Sequence, residues 1–158
     1  MRNIFEYLML MKFWLCAPIA LLISCDFTTG EGREAVEKTA MAWAEAYFNY
    51  DFSGAEKYVT PESQKWLSFA ASNVSQDDID ELRQKKEGAT ISVDDYEECN
   101  DSTAVVTMEV NGFLLRDTIG RPGHIANGLR YQIVVVRRDG RQMVRMEGLP
   151  RSERHSRD

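Results

Sequence analysis

Hydrophobic positions recur every three or four residues in the first part of the chain and every second residue in the last part. Between Arg33 and Tyr50 the apolar positions share one face of a helix: Val36, Ala40, Trp43, Tyr47 and Tyr50. From Thr90 onward the period falls to two, which is typical of strands. The pattern therefore predicts a helical half followed by a sheet-forming half.

Three further helical segments are indicated by the residues that begin them. Ser53–Glu56 fits a capping box that starts a short helix running to Val59. Thr60–Pro61 fits the N-cap and first position of the next segment, which carries Trp66, Leu67, Phe69 and Ala70. The segment Ser75–Glu87 begins with acidic and ends with basic side chains, an order that complements the helix dipole.

The second half predicts four strands separated by turn residues. Their expected ranges are Ile91–Cys99, Thr103–Asp117, Leu129–Arg138 and Arg141–Leu149. Asp139–Gly140 is a strong hairpin signal, and Gly120–Gly128 is expected to be a loop. The order predicts an α+β fold, with N-terminal helices packed on one face of a curved four-stranded antiparallel sheet.

The N-terminal segment is typical of a signal sequence. The charges of Arg2 and Lys12 precede the uncharged run Phe13–Ser24, which is shorter than the about 20 residues of a membrane span. The run ends in Leu22–Cys25, which resembles the lipobox of bacterial lipoproteins. The resemblance implies cleavage after Ser24 and acylation of Cys25, so that lipid would hold the mature protein at a membrane. The alternatives are an uncleaved anchor, or secretion with an incidental cysteine.

These features divide the chain into four parts. We expect a signal peptide at 1–24, a tether at 25–32, a folded domain at 33–150 and a disordered tail at 151–158. The expected location is the cell envelope, facing the periplasm. Asp26 favours inner-membrane retention under enterobacterial rules, but other bacteria sort differently, so both membranes stay open. Because Cys25 would carry lipid, Cys99 lacks a disulfide partner and is expected to be a buried thiol.

Composition and charge limit the possible partners. The 158 residues are 44% hydrophobic, enough for one core, and the formal net charge of −6 argues against general nucleic-acid binding. Residues 26–101 hold 18 acidic and 7 basic side chains, whereas residues 102–158 hold 6 and 10. We favour mutual neutralisation of the two halves over a basic outer sheet face that binds a polyanion.

The order of elements resembles the nuclear transport factor 2-like superfamily, a cystatin-like α+β group, and in particular its small lumazine-binding-like lipoprotein branch. The residues that carry this resemblance are Trp43–Tyr47, Asp51–Ala55, Thr60–Ser63 and Asp139–Arg141. It spans roughly Gly32–Leu149 and implies a cone formed by a curved sheet and helices. The superfamily contains enzymes as well as modules that only bind, so the fold does not decide the activity.

Candidate chemistry is sparse. The two histidines and three cysteines lack the spacing of a metal site, and no phosphate-binding glycine loop occurs, so no cofactor is predicted. The chain is expected to be a binding or interaction module without catalytic activity, with an envelope protein or a small apolar ligand as its partner. Residues that could line a pocket are Trp43, Tyr47, Tyr50, Trp66, Phe69 and His124, although the rings could equally fill the core.

The alternative function is an enzyme of the ketosteroid isomerase or polyketide cyclase type, which the resemblance allows. Such an enzyme needs an acid or base inside the cone, where burial can adjust its pKa. The candidates are Tyr47, Tyr50, Asp51, Glu109, Asp117 and His124. Their spacing defines no acid–base pair, so a non-catalytic function is favoured.

Overall fold

The computed structural model describes residues 30–116 and 122–153 and has an α+β fold. The helical part comprises α1 (Gly30–Phe48), α2 (Phe52–Glu56), a 3-10 turn (Pro61–Ser63), α3 (Gln64–Ser72) and α4 (Gln76–Gln84). The strands that follow are β1 (Thr90–Asn100), β2 (Thr103–Asn111), β3 (Phe113–Leu115), β4 (His124–Ala126), β5 (Leu129–Arg138) and β6 (Arg141–Arg145). The predicted order of helices before strands is confirmed.

The main sheet has four antiparallel strands in the order β1-β2-β5-β6, and β3 and β4 form a separate pair. Val106 lies opposite Ile133 and Met108 opposite Tyr131, and all four side chains are buried. The predicted alternation along β2 is therefore confirmed. Asp139 and Gly140 both have positive φ, at 52° and 74°, as a two-residue hairpin turn requires.

The core lies between α1 and one face of the main sheet. α1 contacts all four strands, and its buried stripe includes Val36, Ala40, Trp43, Ala44 and Phe48. The sheet contributes Val106, Met108, Val110, Tyr131, Ile133, Val135 and Val144 to the same cluster. The 3.6-residue period on one side and the two-residue period on the other thus bury their apolar faces against each other.

Several helix boundaries differ from the sequence prediction. α1 already begins at Gly30, so residues 30–32 of the predicted tether are helical. It ends at Phe48, because Tyr50 adopts a left-handed conformation with φ 66°. α2 is capped by Asp51 rather than Ser53: the Asp51 carboxylate accepts the N–H of Gly54 at 2.8 Å. The predicted capping box at Ser53 is therefore wrong, because that residue already lies inside the first turn.

The sheet half departs from prediction at one glycine. Gly112, with φ 62°, ends β2 and separates it from β3, so the predicted strand from Thr103 is divided. The break is held by a reciprocal contact: the N–H of Gly112 donates to Asn127 Oδ1 at 2.7 Å, and the N–H of Gly128 donates to Asn111 Oδ1 at 2.6 Å. As a result, the predicted loop Gly120–Gly128 contains β4.

The C-terminal region and Cys99 also differ from expectation. β6 ends at Arg145, and the chain continues as a segment that returns along β5. There Ser152 pairs with Tyr131, and the N–H of Glu153 donates to the Arg130 carbonyl at 2.8 Å. Residues 151–153 of the predicted tail are thus ordered, and 154–158 lie outside the described residues. Cys99 is exposed near the end of β1, not buried, because β1 is an edge strand.

The N-terminal predictions fall on residues 1–29, including the signal peptide and Cys25, which lie outside the described residues. Within the described ranges, no helix has both the length and the apolar character needed to cross a membrane.

The buried carboxylate of Asp78 fastens α4 to the segment before β4, and its removal should destabilise the fold. The side chain is 1% exposed and accepts the N–H of Ser75 at 2.9 Å and of Gly123 at 2.8 Å. We expect Asp78→Asn to lower the free energy of unfolding by about 1–3 kcal/mol, because an amide nitrogen would face a backbone donor. Urea unfolding at pH 7 measures the loss. Exposed Asp77→Asn is the matched control, expected to change stability by less than about 0.5 kcal/mol.

The stability loss caused by Asp78→Asn should depend on pH. Burial alone would raise the pKa of Asp78, but hydrogen bonds from Ser75 and Gly123 outweigh it and hold the pKa below its ordinary 3.8. The ionised carboxylate therefore stabilises the fold fully at a pH above the pKa that Asp78 has in the unfolded chain. This stabilisation is lost as the pH falls through the lower pKa of Asp78 in the folded protein. The stability difference between wild type and Asp78→Asn should narrow below about pH 4. A constant difference down to pH 2 would contradict this assignment.

Candidate functional site

The structure brings together two of the six predicted pocket residues. Tyr47 and Tyr50 line one small pocket, whereas Trp43 borders a neighbouring cavity and Trp66 a separate groove. Phe69 is 41% exposed on α3, and His124 is exposed on β4. The predicted residues thus occupy several surfaces, and the pocket lined by Tyr47 and Tyr50 is more enclosed than the groove at Trp66.

This aromatic pocket is lined mainly by rings from α1, α2, β3 and β5. Its lining consists of Tyr47, Phe48, Tyr50, Phe52, Phe113, Leu114, Leu115, Arg116, Tyr131, Leu149 and Pro150. Its volume is about 90 Å³. Phe48 lies 5.2 Å from Phe113 and 4.8 Å from Tyr131, measured between ring centroids, so the wall is a packed aromatic cluster.

The chain reversal after α1 places Tyr50 at the pocket. Its left-handed backbone turns the chain into α2, and its hydroxyl donates to the Leu114 carbonyl at 2.9 Å. Its ring lies 5.5 Å from that of Phe52. A backbone conformation that costs energy for a tyrosine is therefore accompanied by a hydrogen bond and ring contacts at the pocket.

Arg116 supplies the one charged side chain among the described residues that line the aromatic pocket. Its guanidinium lies 5.8 Å from the centroid of the Tyr50 ring. Nη2 donates to the Ala70 carbonyl at 3.3 Å and Nη1 to the Asn73 carbonyl. These hydrogen-bond partners are neutral carbonyls, and they hold the guanidinium at the edge of an apolar site. The charge of Arg116 also interacts with the buried carboxylate of Asp78.

Tyr47 and Tyr50 carry neutral hydroxyl groups at physiological pH. Burial raises the pKa of Tyr47 well above its ordinary value of 10, despite the positive charge of Arg116. Burial also raises the pKa of Tyr50, again against the influence of Arg116. Neither hydroxyl can therefore act as a base near neutral pH.

Of the other acid–base candidates, Asp51, Glu109 and His124 do not line the aromatic pocket. Asp51 caps α2, and Glu109 accepts the side-chain amide of Asn111 at 2.9 Å. His124 is exposed, and Asp117 lies outside the described residues. Across residues 30–116 and 122–153, no group of three His, Cys, Asp or Glu side chains is placed to hold a metal ion.

Sequence reasoning missed Arg116, Phe113 and Tyr131 as pocket residues. The signal available for Arg116 was a single charge directly after the apolar run Phe113–Leu115. Its anchors, Ala70 and Asn73, lie 46 and 43 residues earlier in the chain, so spacing alone could not identify them.

Comparison with known proteins gives no assignment: no protein-family model matches the chain, and no curated protein matches it significantly.

Removing the Tyr50 hydroxyl should loosen this side of the pocket without removing its ring. Tyr50→Phe eliminates the hydrogen bond to Leu114, so we expect a loss of about 1 kcal/mol in the free energy of unfolding. Tyr58→Phe is a matched control, because the half-buried Tyr58 hydroxyl makes no hydrogen bond within the described part of the chain. Thermal and urea unfolding measure both variants. Equal stability of the two would show that the Tyr50 bond contributes nothing in solution.

Proposed function

We propose that this chain is a lipid-anchored binding module of the cell envelope, of the nuclear transport factor 2-like type. In this proposal the aromatic pocket binds a small apolar or aromatic group that carries a negative charge. The observation that carries the proposal is Arg116, a cation fixed by backbone carbonyls at the edge of a site otherwise lined by rings and aliphatic side chains. Such a site matches a ligand with one flat apolar face and one anionic end.

The architecture supports the family part of the proposal. Helices precede a four-stranded antiparallel sheet, α1 contacts all four strands, and the hairpin at Asp139–Gly140 comes last. This arrangement is compatible with a cone of the nuclear transport factor 2-like type. The aromatic pocket would then lie at an opening of that cone, between the end of α1 and β3.

The size of the pocket limits the ligand. Its volume of about 90 Å³ is well below the roughly 300 Å³ at which pockets take drug-sized molecules. One ring or the end of a short chain fits without rearrangement. We therefore infer a ligand, or a terminal group of a ligand, no larger than a single ring with its acidic substituent.

A binding role without catalysis is favoured by the groups that face this space. The described lining residues include no carboxylate and no imidazole, and burial keeps Tyr47 and Tyr50 protonated. Proton abstraction of the isomerase type needs a base with a pKa near neutrality. Arg116 can orient an anion but cannot accept a proton, since guanidinium stays charged in proteins.

Phenylacetate and benzylamine test the ligand class, because they share a ring and a methylene group and differ in the sign of the charge. We expect the full-length protein, purified in uncharged detergent, to bind phenylacetate at least about fivefold more tightly, since one charge-assisted contact contributes about 1 kcal/mol. Ligand-observed saturation-transfer NMR titrations measure both affinities. Arg116→Gln should abolish the preference by weakening phenylacetate alone.

The control for this test is Arg83→Gln, because Arg83 is an exposed arginine on α4 outside the pocket. It should leave the preference unchanged. Arg116→Lys keeps the positive charge but not the planar guanidinium group, so it should keep part of the preference for phenylacetate over benzylamine. The proposal fails if benzylamine binds as tightly as phenylacetate to the wild type, or if folded Arg116→Gln retains the full preference.

The lipid anchor is tested separately. Cys25→Ser should prevent acylation and move the protein from the membrane to the soluble fraction, because the remaining signal run is shorter than a span. Metabolic labelling with radioactive palmitate and membrane fractionation measure the two effects. Cys99→Ser removes the exposed thiol and should change neither. Retention of label by Cys25→Ser would contradict the proposed anchor.

A further inference from the structure

A second concavity, which shares no lining residue with the aromatic pocket, lies between the start of α3 and the ends of β2, β5 and β6. Its volume is about 610 Å³. We call it the Trp66 groove; the residues that line it include Lys65, Trp66, Val136, Arg137, Arg138 and Arg145. Its size and open form suit a chain segment better than a small enclosed molecule.

The base of the Trp66 groove is fixed by hydrogen bonds between buried groups. Thr60 Oγ1 lies 2.8 Å from Ser63 Oγ, and the N–H of Met146 donates to Ser63 Oγ at 2.9 Å. Ser63 is fully buried, and Thr60 and Met146 are nearly so. Since these bonds join the 3-10 turn to the segment after β6, the groove is formed before any partner binds.

One wall of the groove belongs to the outer face of the main sheet. Val136 lies opposite Thr103 on β2, and Arg145 lies opposite Val134 on β5. The neighbouring pair Val135 and Val144 is buried on the other face. Because successive side chains alternate between faces, Val136 and Arg145 point away from the core.

The groove is basic although the chain is acidic. Its lining has four basic residues, Lys65, Arg137, Arg138 and Arg145, and two acidic ones, in a chain of net charge −6. Arg137 already donates through Nη2 to the Asp101 carbonyl at 2.7 Å. Both acidic residues already have partners: Glu62 pairs with Arg138 at 2.6 Å, and Glu147 with Arg145 at 3.4 Å. Both arginine side chains remain nearly half exposed.

Trp66 gives the groove an apolar anchor point. Its ring is half-buried, and the Lys65 ammonium lies 5.2 Å from the ring centroid. Tryptophan and arginine are the residue types that most often dominate binding energy at protein interfaces. Guanidinium groups also match carboxylates in geometry as well as in charge.

We propose that the Trp66 groove binds an acidic, extended segment of a partner protein, with an apolar side chain of that segment against Trp66 and its carboxylates against Lys65 and Arg145. The charge of the groove selects carboxylates. Its concave shape favours a chain that enters it over the flat surface of an anionic bilayer. This interaction is independent of the aromatic pocket and of the ligand proposed for it.

The test uses a fluorescein-labelled decapeptide of eight glutamates around two leucines, with a lysine version as the charge control. Fluorescence anisotropy with the full-length protein in uncharged detergent should show saturable binding of the acidic peptide that weakens as salt rises. Lys65→Glu combined with Arg145→Glu should weaken binding by at least about tenfold. Lys38→Glu combined with Lys86→Glu, on exposed positions outside the groove, changes the net charge equally and should cost less than about twofold.

Trp66→Ala distinguishes binding in the groove from non-specific attraction between charges. The substitution removes no charge, yet it should still weaken binding of the acidic peptide by about fivefold. Circular dichroism checks that each variant is folded. Equal losses in both charge variants, or equal binding of the lysine peptide, would overturn the proposal. It would also be overturned if the groove residues affected only binding to phosphatidylglycerol vesicles, which would assign the surface to the membrane instead.

Discussion

The packing of α1 across the main sheet holds both the core and the aromatic pocket. Small residues at Ala40 and Ala44 bring the helix close to the strands, and Trp43 and Phe48 fill the space beside them. The last turn of the same helix continues this cluster into the pocket through Tyr47, which stacks on Trp43 at 4.9 Å. Truncating a buried ring typically costs about 3–5 kcal/mol, against a total stability of about 5–15 kcal/mol. Replacing the buried rings of the inner wall with smaller side chains, to admit a larger ligand, would therefore remove a large part of the free energy of unfolding.

The polar edge of the pocket is a junction of elements that are distant in sequence. Arg116 donates to carbonyls at the C-terminal end of α3, where the helix dipole favours a cation. Tyr50 joins the turn after α1 to β3, and Asp78 joins α4 to Gly123 before β4. The positive charge of Arg116 also contributes to the low pKa of Asp78, after the larger effects of burial and hydrogen bonding. The cation thus has both a stabilising role and a position from which it can meet a ligand.

This long-range assembly explains what could be predicted from the sequence and what could not. The stripe of Val36, Ala40 and Trp43 and the alternation along β2 depend on neighbouring residues, so periodicity identified them. The break at Gly112 depends on Asn127, and the position of Arg116 depends on α3, so neither has a local signal. Cys99 was expected to be buried because it had no disulfide partner, but burial is decided by its place on an edge strand. Of the side chains predicted to share a pocket with the tyrosines, Trp66, Phe69 and His124 lie on other surfaces. Trp43 stacks on Tyr47 but borders a neighbouring cavity. Helical spacing identifies the face of one helix but not the elements that pack beside it.

The distribution of charge gives the two proposed sites a common physical basis. Ion pairs between Arg138 and Glu62, and between Arg130 and Asp94, join the basic C-terminal half to the acidic N-terminal half. These ion pairs neutralise part of the charge difference between the two halves. The aromatic pocket and the Trp66 groove nevertheless remain cationic in a chain whose formal net charge is −6. Salt screens charge interactions beyond about 8–10 Å, so an approaching anion experiences the net repulsion weakly and the local cations strongly once it is within contact range. In both proposals, selectivity for anionic partners then depends on fitting the concavity, because a partner inside it lies within contact range of the lining cations.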